Sequence, residues 1–172
     1  MAANSKVIKV VLLLILGLGL ILGISFMLNR PTQALYKFNS GLSLSFDLNK
    51  WRLTPNPSTG DTLENNTKDI SIFLTGVQVE DKLLTLEDIV AQRISNLNKQ
   101  NIQVNTSALE INGIPFFKIE YTDKGDENVK PDESGISFVT LYNSTYTTIQ
   151  IFYKTDSELK DALDIVNSVS SN

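Results

Sequence analysis

Apolar and polar residues alternate in the stretch "GLSLSFDL", between positions 41 and 48. The apolar positions are Leu42, Leu44, Phe46 and Leu48. A period of two places such side chains on one face of a strand, so this stretch predicts a half-buried strand. A second alternation, over residues 70–75, predicts another strand. Between the two, Pro55, Pro57 and Gly60 mark a loop.

Helical spacing begins after Thr85. The apolar residues that recur at this spacing are Leu86, Ile89, Val90, Ile94 and Leu97. Thr85 and Asp88 have the spacing of a capping box, and Asn101 is a suitable end, so one amphipathic helix is expected here. The face expected to contact solvent carries Glu87, Gln92, Arg93, Asn96 and Lys99.

Two hairpins are predicted after this helix. In "ALEINGIPFFKIEY", Asn112 and Gly113 supply the two positive-φ positions of a type I′ turn. The runs "ISFVTLYN" and "YTTIQIFY" form the second hairpin, around Ser144 and Thr145. The stretch between the hairpins is polar and acidic and is predicted to be a loop.

A second helix is predicted at the end of the chain. Thr155 and Glu158 form a capping box, and apolar residues follow at helical spacing. The order of strands, helix, two hairpins and helix is typical of an α+β domain in which helices flank an antiparallel β-sheet. Phe116 and Phe117 are consecutive and therefore point to opposite sheet faces, which indicates that both faces are covered.

An uncharged apolar run precedes the domain. Residues 10–28, "VVLLLILGLGLILGISFML", are long enough to cross a hydrocarbon core of about 30 Å as a helix. The alternative is a cleaved signal peptide, with Thr32-Gln33-Ala34 as a loose cleavage site, but signal peptides usually have a shorter apolar region. We therefore predict one transmembrane helix.

The flanks of this run set the expected organisation and orientation. Lys6 and Lys9 lie before the run and Arg30 lies after it, which favours a cytoplasmic amino terminus and an extracytoplasmic domain at the cell membrane. The predicted segments are a short basic amino terminus (1–9), the span (10–28), a linker (29–35) and the domain (36–171).

The order of these motifs resembles the PsbP-like superfamily, which includes PsbP itself and the Mog-type Ran-binding proteins. The resemblance rests on "GLSLSFDL" with Trp51 close behind, "LTLEDIV", "INGIPFFKIEY", the paired strands "ISFVTLYN" and "YTTIQIFYK", and "LKDALDIVNSVS". It implies an α-β-α sandwich and non-enzymatic work as an accessory subunit, assembly factor or adaptor. Two departures are the lack of a proline before Trp51 and the lack of any histidine.

Composition excludes several function classes. With no histidine and no cysteine, the chain lacks the usual general base, thiolate nucleophile and zinc ligands, so we expect no enzyme. Three of the 15 basic side chains and none of the 19 acidic ones lie in residues 1–30, so the remainder carries a net charge of −7. Such an acidic domain repels phosphate backbones, and no nucleic-acid partner is expected.

Two groups of residues are candidate sites. Hard oxygen donors suited to Ca²⁺ occur between residues 123 and 133, although their spacing is not that of an EF-hand and a solvated loop is the alternative. They are Asp123, Asp126, Glu127, Asp132 and Glu133. The aromatic residues Tyr36, Trp51 and Phe73 either form a ligand or partner surface or pack in the core. No other cofactor is expected.

The functional hypothesis is a membrane-anchored, non-catalytic binding or accessory module that engages an envelope or membrane protein through its extracytoplasmic domain. The alternative is a small-molecule or Ca²⁺-binding domain that uses a cleft near Trp51 or the acidic loop. Gly19 and Gly23 form a G-x-x-x-G motif in the apolar run, which permits a homodimer.

Overall fold

Two antiparallel sheets and two helices make up the part of the chain that the computed structural model describes, residues 32–81, 83–100, 102–122 and 134–171. Residues from Gln33 onward form one compact unit. The strands are β1 (Gln33–Lys37), β2 (Leu42–Asp47), β3 (Trp51–Thr54), β4 (Asp61–Asn65), β5 (Ser71–Gln78), β6 (Gln103–Ile111), β7 (Ile114–Thr122), β8 (Ser134–Tyr142), β9 (Thr145–Tyr153) and β10 (Ser170–Ser171). The helices are α1 (Leu86–Lys99) and α2 (Asp156–Asn167).

The strands of the larger sheet lie in the order β3-β4-β5-β9-β8-β7-β6, and those of the smaller sheet in the order β1-β2-β10. Two predicted hairpins, β6–β7 and β8–β9, form one half of the larger sheet. The first turns at Asn112 and Gly113, with φ of 50° and 81°, as predicted. The second turns at Asn143 and Ser144, one residue earlier than predicted, and both have positive φ.

One face of the larger sheet is covered by α2 and the smaller sheet. The side chains of Leu44, Ile72, Ile149 and Val166 come from these layers, are almost completely buried and belong to one apolar core. Each sheet residue in this core is followed by one that points to the opposite face, because side chains alternate along a strand. The alternation read from residues 42–46 therefore gives the correct inner face of β2.

The opposite face is covered over β6–β8 by α1. Val90 of α1 packs on Ile119 and Val139, which are fully buried. Phe116 lies in the main core and Phe117 packs under α1, so the consecutive pair does divide between the two faces. The prediction of an α+β fold with an antiparallel sheet and helices is confirmed, although the described strands form two antiparallel sheets where one was expected.

Both helix starts agree with the sequence. In α1 the Thr85 hydroxyl accepts from the Asp88 N–H at 3.2 Å, and the Asp88 carboxylate accepts from the Thr85 N–H at 3.1 Å. Glu158 accepts from the Thr155 N–H at 3.2 Å at the start of α2. Each carboxylate satisfies a donor that the first helical turn leaves unpaired.

The start of the domain differs from the sequence expectation. β1 begins at Gln33, within the segment assigned to the linker (29–35), because it pairs with the whole of β2 up to Asp47. Leu48, assigned to the apolar face, lies beyond β2 and is 51% exposed. The chain turns there, with the Lys50 N–H donating to the Asp47 carbonyl at 3.0 Å.

The predicted transmembrane segment, residues 10–28, and its flanking segment 1–9 lie outside the described residues. Within the described ranges, neither helix has the length and apolar character needed to cross a membrane.

Candidate functional site

Partway along β5, this strand itself becomes the edge of the larger sheet. β9 pairs with β5 over its whole length, up to the pair Gln78–Thr145. β4 pairs only with its first half and stops at the pair Asp61–Leu74. In the part of the chain that the structure describes, the last four residues of β5, Thr75–Gln78, therefore have no neighbouring strand on that side.

Gly60 explains why β4 begins so late. Its φ of +125° is a conformation that residues with side chains rarely adopt. A Cβ at this position would lie 2.5 Å from Cγ2 of Thr75 and 2.8 Å from the Leu74 carbonyl oxygen. With this φ the chain before β4 does not continue the strand, and Gly60 packs closely against Leu74 and Thr75 of β5.

A cleft of about 340 Å³ lies along this edge. Residues 36–39, which end β1 and begin the following turn, line one wall, and residues 56–61, from the β3–β4 loop and the start of β4, line the other. Residues 74–77 of β5 complete the lining. The cleft therefore exposes strand backbone between two walls that come from different sheets.

Tyr36 and Asp61 connect the two walls. The Tyr36 hydroxyl donates to Oδ2 of Asp61 at 3.0 Å, and the backbone N–H of Asn56 donates to Oδ1 at 2.8 Å. Burial, followed by the hydrogen bond to Asp61, raises the pKa of Tyr36 well above its usual value. The Tyr36 ring also packs edge-to-face on Phe38, with centroids 4.8 Å apart. These contacts fix the position of Tyr36 in the absence of a ligand.

Hydrogen-bonding groups line the cleft. Both oxygens of Asp61 accept hydrogen bonds from neutral donors, and the phenol of Tyr36 stays protonated. Lys37 is the one cationic residue among the described lining residues, and its side chain leaves β1 on the face opposite to that of Tyr36.

The structure separates the three aromatic candidates. Tyr36 lies in a wall of the cleft, and Phe73 lies next to Gly60 on the face of β5 that the β3–β4 loop crosses. Trp51 begins β3 and is only 2% exposed, so it belongs to the main core and offers almost no surface. It borders a second, smaller cleft of about 220 Å³ that also contacts Asp161 of α2.

The five carboxylates considered for Ca²⁺ lie outside the described residues. Within the described ranges, no group of three or more acidic side chains is arranged to hold a metal ion.

Arg93 is the polar residue that sequence reasoning placed wrongly. The helical spacing predicts that Arg93 lies on the solvent face of α1, but its guanidinium reaches the larger sheet and donates to Ser137 at 3.0 Å, Gln150 at 3.1 Å and Tyr146 at 3.3 Å. Its long side chain crosses from the flank of the helix to neutral acceptors on β8 and β9. A helical projection shows only the direction of Cβ and not where a long side chain ends. The sequence signal for a buried polar contact was the presence of polar residues at positions 137 and 150, on a sheet face that is otherwise buried.

Comparisons with solved structures agree on the fold. The cyanobacterial PsbP protein CyanoP from Synechocystis matches with a TM-score of 0.58 and 14% identity, covering 84% of this chain and 95% of that one. The chain has a PsbP-like fold. A protein from Bacteroides thetaiotaomicron matches with a TM-score of 0.51 and 10% identity over 82% of this chain, which spans about half of that protein (48%). No protein-family profile and no curated protein matches the sequence.

Proposed function

We propose that this protein is a non-catalytic binding or accessory module whose PsbP-like domain engages an envelope or membrane protein at the cleft beside β5. The observation that carries the proposal is the unpaired edge of β5, which lies in a cleft with a wall on each side. Exposed strand edges pair readily with other chains, and proteins usually cover them where no pairing is needed. The chain's lack of histidine and cysteine supports a binding role over catalysis.

Membrane anchoring completes the proposal. Residues 10–28 would hold the domain at the outer side of the cell membrane, where a membrane or envelope partner is within reach. A tethered domain needs only modest intrinsic affinity, because the tether raises the effective concentration of a partner in the same membrane.

Site-specific photocrosslinking tests the binding surface. A photoreactive amino acid is placed at Asn39 or at Ser58, which are exposed on opposite walls of the cleft, or at Gln92, which is exposed on α1. After irradiation of native membranes, the same crosslinked protein is expected from both cleft positions and not from position 92. Crosslinking only from position 92, or no crosslinked protein from either wall, would contradict the proposal.

A further inference from the structure

We propose that the cleft binds its partner by β-strand addition: an extended segment of the partner protein pairs with the open edge of β5 at Gly76 and Gln78. This inference rests on the proposed function and specifies how the partner is held. Strand addition obtains affinity from backbone hydrogen bonds and specificity from alternate side chains.

Two backbone hydrogen bonds establish which residues of β5 face the open edge. The Val79 N–H donates to the Ser144 carbonyl at 2.8 Å, which continues the register of β5 with β9. The Asn65 N–H donates to the Ile70 carbonyl at 3.2 Å, which continues the register of β4 with β5. In an antiparallel ladder alternate residues bond to opposite sides, so odd-numbered residues of β5 bond to β9 and even-numbered ones face β4.

Gly76 and Gln78 therefore direct their N–H and carbonyl groups away from β9, beyond the last residue of β4. None of these four groups has a hydrogen-bond partner among the described residues. They can form four main-chain hydrogen bonds with an added strand, which would lie where β4 would run if Gly60 did not divert the chain.

The walls limit what fits beside this edge. Neighbouring strands lie about 4.8 Å apart. Phe38 lies on the face of β5 to which Gly76 would direct a Cβ, and Gly60 packs against the side chain of Thr75, which points to the opposite face, so the two walls flank the edge. A single extended segment fits between them, whereas the edge of a second folded copy would bring its own flanking loops against the same walls. The shape favours a linear segment of another protein.

Side-chain chemistry adds one requirement for the segment. Asp61 already accepts two hydrogen bonds. The side chain of Val77 is 58% exposed and offers apolar contact beside the open edge. An extended segment with an apolar residue next to Val77 meets this requirement.

A proline substitution separates strand addition from other binding modes. Gly76→Pro removes the outward N–H but leaves the ladder with β9 intact, because position 76 does not donate to β9. Gly76→Ala keeps the N–H and is the matched control, since a Cβ there meets only Thr145 at 3.6 Å and Phe38 at 4.0 Å. Gln78→Pro with Gln78→Ala repeats the comparison at the second outward position. Circular dichroism and thermal unfolding verify that all four variants fold.

The probe is a displayed library of random nine-residue peptides, selected on the full-length chain in mild detergent. Enriched peptides are expected to carry apolar residues and to bind the alanine variants like the parent chain. They should bind each proline variant at least about tenfold more weakly, which corresponds to about 1.4 kcal/mol. Equal binding to the parent chain and both proline variants, or no enrichment, would overturn the inference.

Amide hydrogen exchange supplies an independent readout. Bound peptide is expected to slow exchange at Gly76 and Gln78 and to leave Thr75 and Val77, already bonded to β9, unchanged. Protection elsewhere on the domain without protection at these two amides would overturn strand addition. A dimer of the chain that both proline substitutions abolish would also overturn the inference, because it would identify a second copy as the occupant.

The crosslinking experiment separates this inference from the proposed function. If the Asn39 and Ser58 crosslinks persist in the Gly76→Pro and Gln78→Pro chains, the cleft binds a partner but not by strand addition. If the parent chain yields no crosslink while peptides protect positions 76 and 78, the edge accepts strands and the proposed membrane partner is wrong.

Discussion

Tyr36 and Asp61 join the two walls of the cleft although 25 residues separate them in the chain. The sequence does not indicate that these two residues form a hydrogen bond with each other. A tyrosine in a short strand and an aspartate after a loop glycine are both common at protein surfaces. Their pairing depends on the smaller sheet lying against the larger one. The sequence names Tyr36 as a candidate, and its contact with Asp61 is visible only in the structure.

Tyr36→Phe should lower the free energy of unfolding by about 1–2 kcal/mol, because it removes a hydrogen bond to a charged, partly buried carboxylate. The pKa of Tyr36 is raised on folding, so the stability that its neutral form contributes is complete below the unfolded pKa, near 10. That contribution is lost as the pH rises through the higher folded pKa. Urea unfolding at pH 7 to 11 should therefore show a shallower alkaline decline in the variant.

Tyr142→Phe is the control for this prediction. Tyr142 packs against the main core, and no hydrogen bond of its hydroxyl is recorded within the described residues. Its replacement should change neither the stability at pH 7 nor the alkaline slope by a comparable amount. Identical behaviour of the two variants would show that the Tyr36–Asp61 contact does not stabilise the domain.

Arg93→Ala should destabilise the domain by about 1–3 kcal/mol, because Ser137, Gln150 and Tyr146 would lose a charged donor beneath α1. Arg52→Ala is the comparison, since Arg52 is well exposed and its one ion pair among the described residues, with Glu64, is exposed and worth less than about 1 kcal/mol. Urea unfolding of both variants measures the difference. A larger loss from Arg52→Ala would contradict the assigned role of Arg93.

At the scale of elements, the sequence was most informative where the signal is local. Capping boxes at Thr85 and Thr155 and the Asn112-Gly113 turn are complete within a few residues, and each was predicted correctly. β3 and β4 have only four and five residues and were not predicted, because they depend on pairing with β5 more than on their own pattern. Since the cleft exists only where β4 ends, it could not be predicted either.

Gly60→Ala should destabilise the domain by about 1–3 kcal/mol, because φ at this position is +125° and the new Cβ would collide with the Leu74 carbonyl. Gly76→Ala, on the same strand edge, should be neutral or slightly stabilising, since alanine loses less backbone entropy than glycine on folding. Thermal unfolding of the two variants gives the comparison. A Gly60→Ala chain as stable as the Gly76→Ala chain would mean that the loop is not held in this strained conformation.

For the whole molecule, the smaller sheet and α2 must stay attached to one face of the larger sheet for the cleft to keep both walls. Apolar burial supplies most of this attachment, since the main core joins all three layers. Charge adds a smaller contribution at the periphery. Asp161 of α2 pairs with Lys68 at 2.7 Å and with Lys50 at 3.7 Å, which lie on the two connections that flank β3 and β4.

Asp161→Asn tests this charge contribution. The hydrogen bond from Lys68 is the main cause that lowers the pKa of Asp161. Because this pKa is lower in the folded state, Asp161 stabilises the fold at pH values above its unfolded pKa, which is near 4. This stabilisation is lost as the pH falls through the folded pKa. The variant should lose up to about 1 kcal/mol at pH 7, since both side chains of the pair remain partly exposed to solvent, and should match the parent chain near pH 2.

Asp164→Asn is the matched control, because Asp164 is exposed on the same helix and forms no ion pair within the described residues. It removes the same charge without removing a partner. Urea unfolding between pH 2 and 7 should show little effect of this variant. If both substitutions shift the stability curve equally, net charge and not the Lys68 contact is responsible.

The orientation of the chain in the membrane is the remaining prediction at this scale, and the absence of native cysteine makes it directly measurable. Ser58→Cys lies on the exposed loop of the domain, and Ser5→Cys lies before the apolar run. A membrane-impermeant maleimide should label position 58 in intact cells and position 5 only after the cells are permeabilised, because Lys6 and Lys9 favour a cytoplasmic amino terminus.

The reverse pattern would place the cleft in the cytoplasm and replace envelope partners with cytoplasmic ones. A mature chain that lacks position 5 altogether would instead indicate a cleaved signal peptide, and the domain would then reach its partner without a tether.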